Sequence, residues 1–214
     1  MEQIVLDNVL PVVFRDRTEV TSDVWHRSLT FERGKTCLVR AASGTGKSSL
    51  CAYLTGQRAD YEGIINIDGR NIRTLTEKEW TTLRQRTLSQ MFQELRLFPE
   101  LTAMENVLIK NTLTGHLKKK RIREWMERLG IADKEQTLVG KMSFGQQQRV
   151  AVIRALTQPF DFLILDEPVS HLDDVNAKTV AEMVGEEVKR QGAGLIVTSI
   201  GRDLPMEYDT LLNM

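Results

Sequence analysis

The chain has 214 residues, of which 41% are hydrophobic and 27% are charged, a composition typical of one large globular domain. Its 29 basic residues balance its 29 acidic residues, so the net charge is zero and a general nucleic-acid-binding function is not expected. No apolar run approaches the roughly 20 residues that a membrane-spanning helix needs. The composition therefore predicts a globular domain without a nucleic-acid partner.

The N-terminal part predicts strands on either side of a short helix. Apolar residues favour strands at 4–10, 36–39 and 63–67, and the turn signal Asp68-Gly69 follows the last of these. The pattern at 47–54 favours a helix. This part of the chain is therefore expected to combine an antiparallel sheet with a strand–loop–helix unit.

The middle of the chain predicts helices. Thr76 with Glu79, and Thr102 with Glu105, have the spacing of a capping box, in which each side chain bonds the other residue's backbone N–H. Residues 118–129 place apolar side chains at helical spacing. These signals predict a helical insert.

The C-terminal part alternates helices with apolar strands. Helices are expected from 146 and from 174, with strands at 162–165 and 195–198, a pattern that indicates a mostly parallel sheet covered on both faces. The predicted fold class is α/β, with a mostly parallel sheet, an antiparallel β subdomain and a helical insert subdomain. We expect a single domain over 1–214, with the core and β subdomain at 1–93 and 143–214 and the helical subdomain at 94–142.

A Gly-rich segment joins the strand at 36–39 to the helix at 47–54. Successive backbone N–H groups before a helix N-terminus cradle phosphate, which predicts a P-loop NTPase core. Lys47 is expected to reach the β- and γ-phosphates, and Ser48 to ligate Mg²⁺. The predicted contact residues are Ala41, Ala42, Ser43, Gly44, Thr45, Gly46, Lys47, Ser48 and Ser49.

Two carboxylates, Asp166 and Glu167, end the apolar strand at 162–165 and precede Pro168. Open α/β sheets place ligands at the carboxyl ends of their strands, so both side chains are expected beside the phosphate loop. Alone, this pair is a weak signal, since solvated acids are common at strand ends. After a phosphate loop it indicates phosphoryl chemistry, with Asp166 holding Mg²⁺.

The octet at 142–149, M-S-F-G-Q-Q-Q-R, lies between the phosphate loop and the carboxylate pair. Together the three motifs, in this order, resemble the nucleotide-binding domain of ATP-binding cassette (ABC) proteins. The resemblance implies an ATP hydrolase that works as a head-to-tail dimer, since the octet in that family contacts ATP bound by a second domain. ATP and Mg²⁺ are the implied cofactors.

The resemblance also assigns roles to single residues. Glu167 would be the general base. Gln93 would touch Mg²⁺ or the attacking water, with Gln90 as the less favoured choice. The catalytic set is thus Glu167, Gln93 and Lys47, the metal set is Ser48, Gln93 and Asp166, and the remaining nucleotide contacts are Phe14, Ser143, Gly145, Gln146, Asp173 and Ser199. Phe14 would stack on adenine, and a core aromatic is an equal alternative.

Three residues depart from the family pattern. Ala41 occupies the first glycine position of the loop, where alanine costs about 1–2 kcal/mol if φ is positive and little if φ is negative. Phe144 replaces a glycine of the octet. Ser199 stands where the family has a histidine that contacts the γ-phosphate, which puts turnover in doubt more than binding.

The resemblance leaves several functions open. The first is the ATPase subunit of a membrane ABC transporter, on the inner face of the cell membrane and attached through a permease on a separate chain. It would act as a homodimer or heterodimer, nearest the lipoprotein-release, macrolide-export and cell-division group. The alternative is a soluble or regulatory ABC ATPase with slow or no hydrolysis.

Overall fold

The computed structural model describes residues 1–17 and 21–214, and their strands form two sheets. The strands are β1 (Gln3–Pro11), β2 (Ser28–Glu32), β3 (Thr36–Arg40), β4 (Tyr61–Ile67), β5 (Arg70–Asn71), β6 (Leu88–Met91), β7 (Phe162–Asp166), β8 (Gly194–Ser199) and β9 (Thr210–Asn213). The α-helices are α1 (Lys47–Leu54), α2 (Glu77–Arg86), α3 (Ala103–Thr114), α4 (Lys119–Arg128), α5 (Phe144–Leu156) and α6 (Asp174–Gln191).

The larger sheet has the strand order β6-β7-β8-β3-β9, and every neighbouring pair is parallel. Asp166 at the end of β7 pairs with Thr198, and Arg40 at the end of β3 pairs with Ser199. The carboxyl ends of three adjacent strands therefore meet at one edge. The smaller sheet, β2-β1-β4-β5, is antiparallel throughout, so the α/β fold class is confirmed.

The central strands β7 and β8 of the parallel sheet are buried on both faces, whereas the edge strand β9 is largely exposed. Leu163 and Leu165 of β7 join a cluster with the side chains of α3 to α6, whereas Phe162 and Ile164 join a second cluster with α1 and the antiparallel sheet. Successive residues of a strand point to opposite faces, which explains why β7 is apolar throughout.

The helix caps follow the sequence signals. Thr76 and Thr102 both form the predicted capping boxes. A third box, between Ser143 and Gln146, starts α5 at Phe144, two residues before the predicted position. Helices α3 and α4 both lie within 94–142, and the proposed subdomain boundaries stay a prediction. Within the described residues, no helix is both long and apolar enough to cross a membrane.

Candidate nucleotide-binding site

The phosphate loop follows β3 and ends where α1 begins. Gly44 and Gly46 have φ of +77° and +96°, a conformation that L side chains rarely adopt. A Cβ on Gly46 would also lie 2.9 Å from Cε2 of Phe14. Ala41, in contrast, is not among the residues with positive φ, and its N–H donates to the Ser199 carbonyl at 3.0 Å. Alanine at the first glycine position therefore causes little strain.

A buried tryptophan, which the sequence did not predict to have this role, holds the phosphate loop by a hydrogen bond. The buried Trp25 indole Nε1 donates to the Thr45 carbonyl at 2.9 Å, and the Thr45 hydroxyl donates to the Ala42 carbonyl at 2.9 Å. Its position in a stretch of mixed polarity carried no signal for this role. On its open side the loop borders a cavity of about 240 Å³, lined by Ala42, Ser43, Gly44, Gly46, Lys47, Ser48, Ser49, Gln93 and Ile200.

Lys47 lies in the centre of a buried charge cluster. Its Nζ is 2.5 Å from Oδ1 of Asp166 and 2.8 Å from Oε1 of Glu167, and the side chain is only 5% exposed. Burial lowers the pKa of Lys47, but the hydrogen bonds and charges of the two carboxylates outweigh burial, and the net pKa is raised. The ammonium is therefore held in its charged form, as a phosphate ligand requires.

Oxygen atoms that could ligate a metal ion lie close together beside this cluster. Gln93 Oε1 accepts from Ser48 Oγ at 3.1 Å and lies 3.3 Å from Lys47 Nζ. Thr198 Oγ1 donates to Asp166 Oδ1 at 2.6 Å. A hydroxyl, an amide oxygen and a carboxylate form the hard oxygen set that Mg²⁺ prefers, so Ser48, Gln93 and Asp166 fit that ion.

Glu167 has an unusual backbone for its residue type. Its φ is +52°, a conformation that costs non-glycine residues about 1–2 kcal/mol, and its N–H donates to the Thr198 carbonyl at 3.0 Å. Strain of this kind persists where the surrounding structure enforces it, and it concentrates at functional sites. The turn after β7 thus brings the Glu167 carboxylate back onto Lys47.

The octet lies at the N-terminus of α5. Ser143 Oγ accepts from the Gln146 N–H at 3.3 Å, and Gln146 Oε1 accepts from the Ser143 N–H at 3.0 Å. Gly145 faces the His171 carbonyl so closely that a Cβ would lie 3.0 Å from it. Phe144 is 44% exposed, and its ring packs edge-on against His171 at a centroid distance of 4.4 Å. None of these residues lines the cavity beside Lys47.

Residues 25–170, more than half of the chain, match the protein family described as ABC transporter. The chain belongs to the ABC transporter family. The lipoprotein-releasing system ATP-binding protein LolD of Aquifex aeolicus is 35% identical over 180 residues, which are 83% of this chain and 80% of that protein. LolD of Shewanella denitrificans is 29% identical over 210 residues, or 97% and 90% of the two chains.

A solved structure of an ABC cassette has the same fold. The dimeric ATP-binding cassette MJ0796, bound to ADP and Pi, aligns with a TM-score of 0.77 at 25% identity, covering 92% of this chain and 87% of that one. Together with the LolD relatives, this likeness identifies the chain as an ATP-binding subunit of an ABC transporter.

Two residues that the family pattern assigns to ATP have protein partners in this ABC subunit. Ser199 is 1% exposed, and its hydroxyl donates to Oδ1 of Asp203 at 2.5 Å. Phe14 is 4% exposed and carries the Arg17 guanidinium 4.0 Å above its ring centroid. Their contacts with ATP stay predictions. Gln90 accepts from Gln57 Nε2 at 2.6 Å, which leaves Gln93 as the glutamine at the ABC site.

The predicted catalytic and metal-binding residues lie in one group, and the octet residues and Asp173 lie outside it. Lys47, Ser48, Gln93, Asp166 and Glu167 meet in one cluster. Ser143, Gly145 and Gln146 lie at the start of α5, and Asp173 caps α6 by accepting from the Asn176 N–H at 2.8 Å. The hydrogen bonds of Asn176 keep the pKa of Asp173 below its ordinary value. The buried amide of Gln148, which the sequence reasoning also missed, contacts the backbone of Glu167 and of His171.

Proposed function

We propose that this chain binds and hydrolyses ATP with Mg²⁺ and thereby drives a transmembrane permease formed by a separate chain. The observation that carries the proposal is the cluster of Lys47, Asp166 and Glu167, in which one buried ammonium is shared by two carboxylates beside the phosphate loop. An isolated charge in such a place would be costly. The cluster supplies the cation, the metal ligand and the base that phosphoryl transfer to water needs.

ATP binding would rearrange these ion pairs. The β- and γ-phosphates enter the cavity along the loop and take over as partners of Lys47. Glu167, released from the ammonium, accepts a proton from the attacking water. Mg²⁺, held by Ser48, Gln93 and Asp166, would neutralise developing charge on the phosphate oxygens.

A second cassette completes the site in this proposal. Ser143 and the Gly145 N–H lie at a helix N-terminus, where an anion is favoured, and they do not border the chain's own phosphate cavity. The similarity to a dimeric cassette supports a head-to-tail pair, in which the octet at 142–149 of each subunit, its signature octet, caps the ATP of the other subunit. The second cassette is either a copy of this chain or a related chain.

The relatives support a membrane partner for transport. Several of them are named as ATP-binding proteins of lipoprotein-releasing systems. We therefore place this subunit on the inner face of the cell membrane, attached through its permease, with a lipid-modified or similarly amphipathic substrate.

A specific observation favours slow turnover as a second feature. The Ser199 hydroxyl is engaged by Asp203, which itself pairs with Arg40 at 2.8 Å. The donor that the family uses at the γ-phosphate is therefore missing, and hydrolysis would be slower than with histidine.

Purification of the native complex tests the proposal. The tagged chain is extracted from its own membranes in mild detergent, the associated chains are identified, and Mg-ATPase activity is measured. We expect a polytopic membrane protein and an activity that Glu167→Gln removes. Recovery of the chain without a membrane protein, or activity that persists in Glu167→Gln, would contradict it.

A further inference from the structure

Helix α5, which contains most of the octet and is called the signature helix below, carries a buried amide that contacts the backbone of Glu167. Gln148 on α5 is 1% exposed. Its Nε2 donates to the Glu167 carbonyl at 2.9 Å and to Ser170 Oγ at 3.2 Å, and its Oε1 accepts from the His171 N–H at 3.1 Å. Both ends of one amide are therefore used, and all its partners lie in the segment 167–171.

The backbone that Gln148 holds is the strained one. Glu167 has a φ of +52° and precedes Pro168, and a following proline narrows the choice of backbone conformations further. Such a conformation is kept only where the neighbouring structure fixes it. The hydrogen bond from Gln148 fixes the peptide plane between Glu167 and Pro168, and with it the direction in which the Glu167 side chain leaves the turn.

The same segment is packed against the start of the signature helix. The Phe144 ring lies on His171, and Gly145 faces the His171 carbonyl. Phe144, Gly145 and Gln148 thus all contact the turn that follows Glu167. A displacement of the helix start cannot leave the turn in place, because closely packed elements move together.

We propose that Gln148 is a positioning residue that couples the signature octet to Glu167 in the same chain. The inference rests on the proposed function, in which the octet contacts ATP on the second cassette while Glu167 serves the chain's own ATP. Gln148 then links the two ATP sites of the dimer. Occupancy of one site sets the alignment of the base at the other, through a contiguous hydrogen-bonded path.

The matched control is another buried glutamine. Gln158 is also 1% exposed, donates through Nε2 to the carbonyls of Arg84 and Leu88, and accepts from Lys110 Nζ. Replacing either glutamine by leucine removes the same amide from a buried position. None of these hydrogen bonds of Gln158 reaches the segment 167–171, so the pair separates loss of stability from loss of positioning.

The experiment compares Gln148→Leu, Gln148→Glu and Gln158→Leu in the purified transporter complex. Steady-state ATPase rates give kcat and the Hill coefficient, and equilibrium binding of labelled ATP gives affinity. We expect Gln148→Leu to lower kcat on the order of 10-fold, with ATP affinity unchanged and the Hill coefficient reduced to about one. Gln158→Leu should keep the wild-type kcat and Hill coefficient.

Gln148→Glu keeps the acceptor for His171 but loses the donor to the Glu167 carbonyl, so it should be as slow as Gln148→Leu. It also serves as the test if the leucine variant fails to fold. Wild-type kcat in both Gln148 variants, an unchanged Hill coefficient, or an equal loss in Gln158→Leu would overturn the inference. A wild-type complex without ATPase activity would instead refute the proposed function.

Discussion

The surroundings of two lysines in this chain shift their pKa values in opposite directions. Lys47 lies between Asp166 and Glu167, and its pKa is raised above the ordinary value. Lys110 on α3 donates to the neutral amide oxygen of Gln158 at 2.7 Å. Burial, and secondarily the positive charge of Arg154, lower the pKa of Lys110 to about 8.

The comparison separates a functional charge from a structural one. At the phosphate loop the cation is balanced by carboxylates that phosphate oxygens can replace, so the charge is available for a ligand. In the helical segment the cation faces a dipole and another cation, so its charged form weakens the fold. The first lysine should therefore be indispensable for activity, and the second should be replaceable.

The largest effect is expected from Lys47→Ala. Hydrolysis should cease and ATP affinity should fall at least about 100-fold, because hydrogen bonds to charged groups are worth ~1.5–3 kcal/mol each. The two carboxylates would also lose their counter-ion, which typically costs about 3–5 kcal/mol of stability. Binding of labelled ATP and urea unfolding measure both effects.

The control for Lys47→Ala is Lys35→Ala, which removes an exposed lysine paired with Asp209. An exposed pair contributes about 0–1 kcal/mol, so this variant should bind ATP normally. Wild-type ATP affinity in Lys47→Ala would refute the phosphate-loop assignment.

Glu167→Gln tests the carboxylate side of the cluster. The amide keeps the shape but cannot accept the proton of the attacking water, so kcat should fall about 10²–10⁴-fold while ATP still binds. Single-turnover hydrolysis and equilibrium ATP binding are the measurements. If the variant lost ATP binding but kept its kcat, Glu167 would contribute to ATP binding and not to the chemical step, which would contradict its role as the base.

Lys110→Met tests the structural side. Below pH 8 the variant should be more stable than wild type by about 1–3 kcal/mol, because a charge at a half-buried position is removed. The folded pKa of about 8 lies below that of the unfolded chain. The free energy of unfolding of the wild type should therefore rise relative to that of the variant between about pH 8 and 10.4. Urea unfolding at pH 7 and pH 10 measures this, and a constant difference would contradict the account.

The Lys47 pKa is shifted in the other direction. Its contribution to stability is complete below the unfolded value of about 10.4 and is lost only as the pH rises through the higher folded value. The stability difference between wild type and Lys47→Ala should therefore show no change from Lys47 titration between about pH 6 and 9.

The smallest effect is expected from Ser199→His. Removing a preorganised donor at a developing negative charge can cost about 10²–10³ in rate, and an imidazole placed here should recover a fraction of it, roughly 10-fold or less. Ser199→Ala is the control, with kcat unchanged, since the hydroxyl is bound to Asp203. A fall in kcat for Ser199→Ala would show that the hydroxyl already contributes to catalysis.

The sequence predicted the fold well because its signals are local. Capping boxes at Thr76 and Thr102, and the apolar run that forms β7, depend on residues a few positions apart. The motifs, together with the family resemblance that they carry, predicted the residues that gather around Lys47. The orientation of Ser199 toward Asp203 could not be read from the chain, because it depends on a turn between them.

The residues that support the site could not be predicted from the sequence, for a different reason. Trp25 and Gln148 act through side-chain hydrogen bonds to backbone carbonyls, which carry no sequence signature of their own. Arg17 covers the ring of Phe14, a contact that the adenine-stacking expectation did not include. Only the folded arrangement shows which partner each of these side chains selects.

The central claim is that two cassettes enclose ATP between a phosphate loop and a signature octet. The direct measurement is the mass of isolated Glu167→Gln cassettes, with the second cassette present, determined by light scattering with and without Mg-ATP. With Mg-ATP the account predicts that two cassettes associate. Adding Ser143→Glu, which places a negative charge against the phosphate, should keep them apart. Saturation with ATP while every cassette remains single would contradict it.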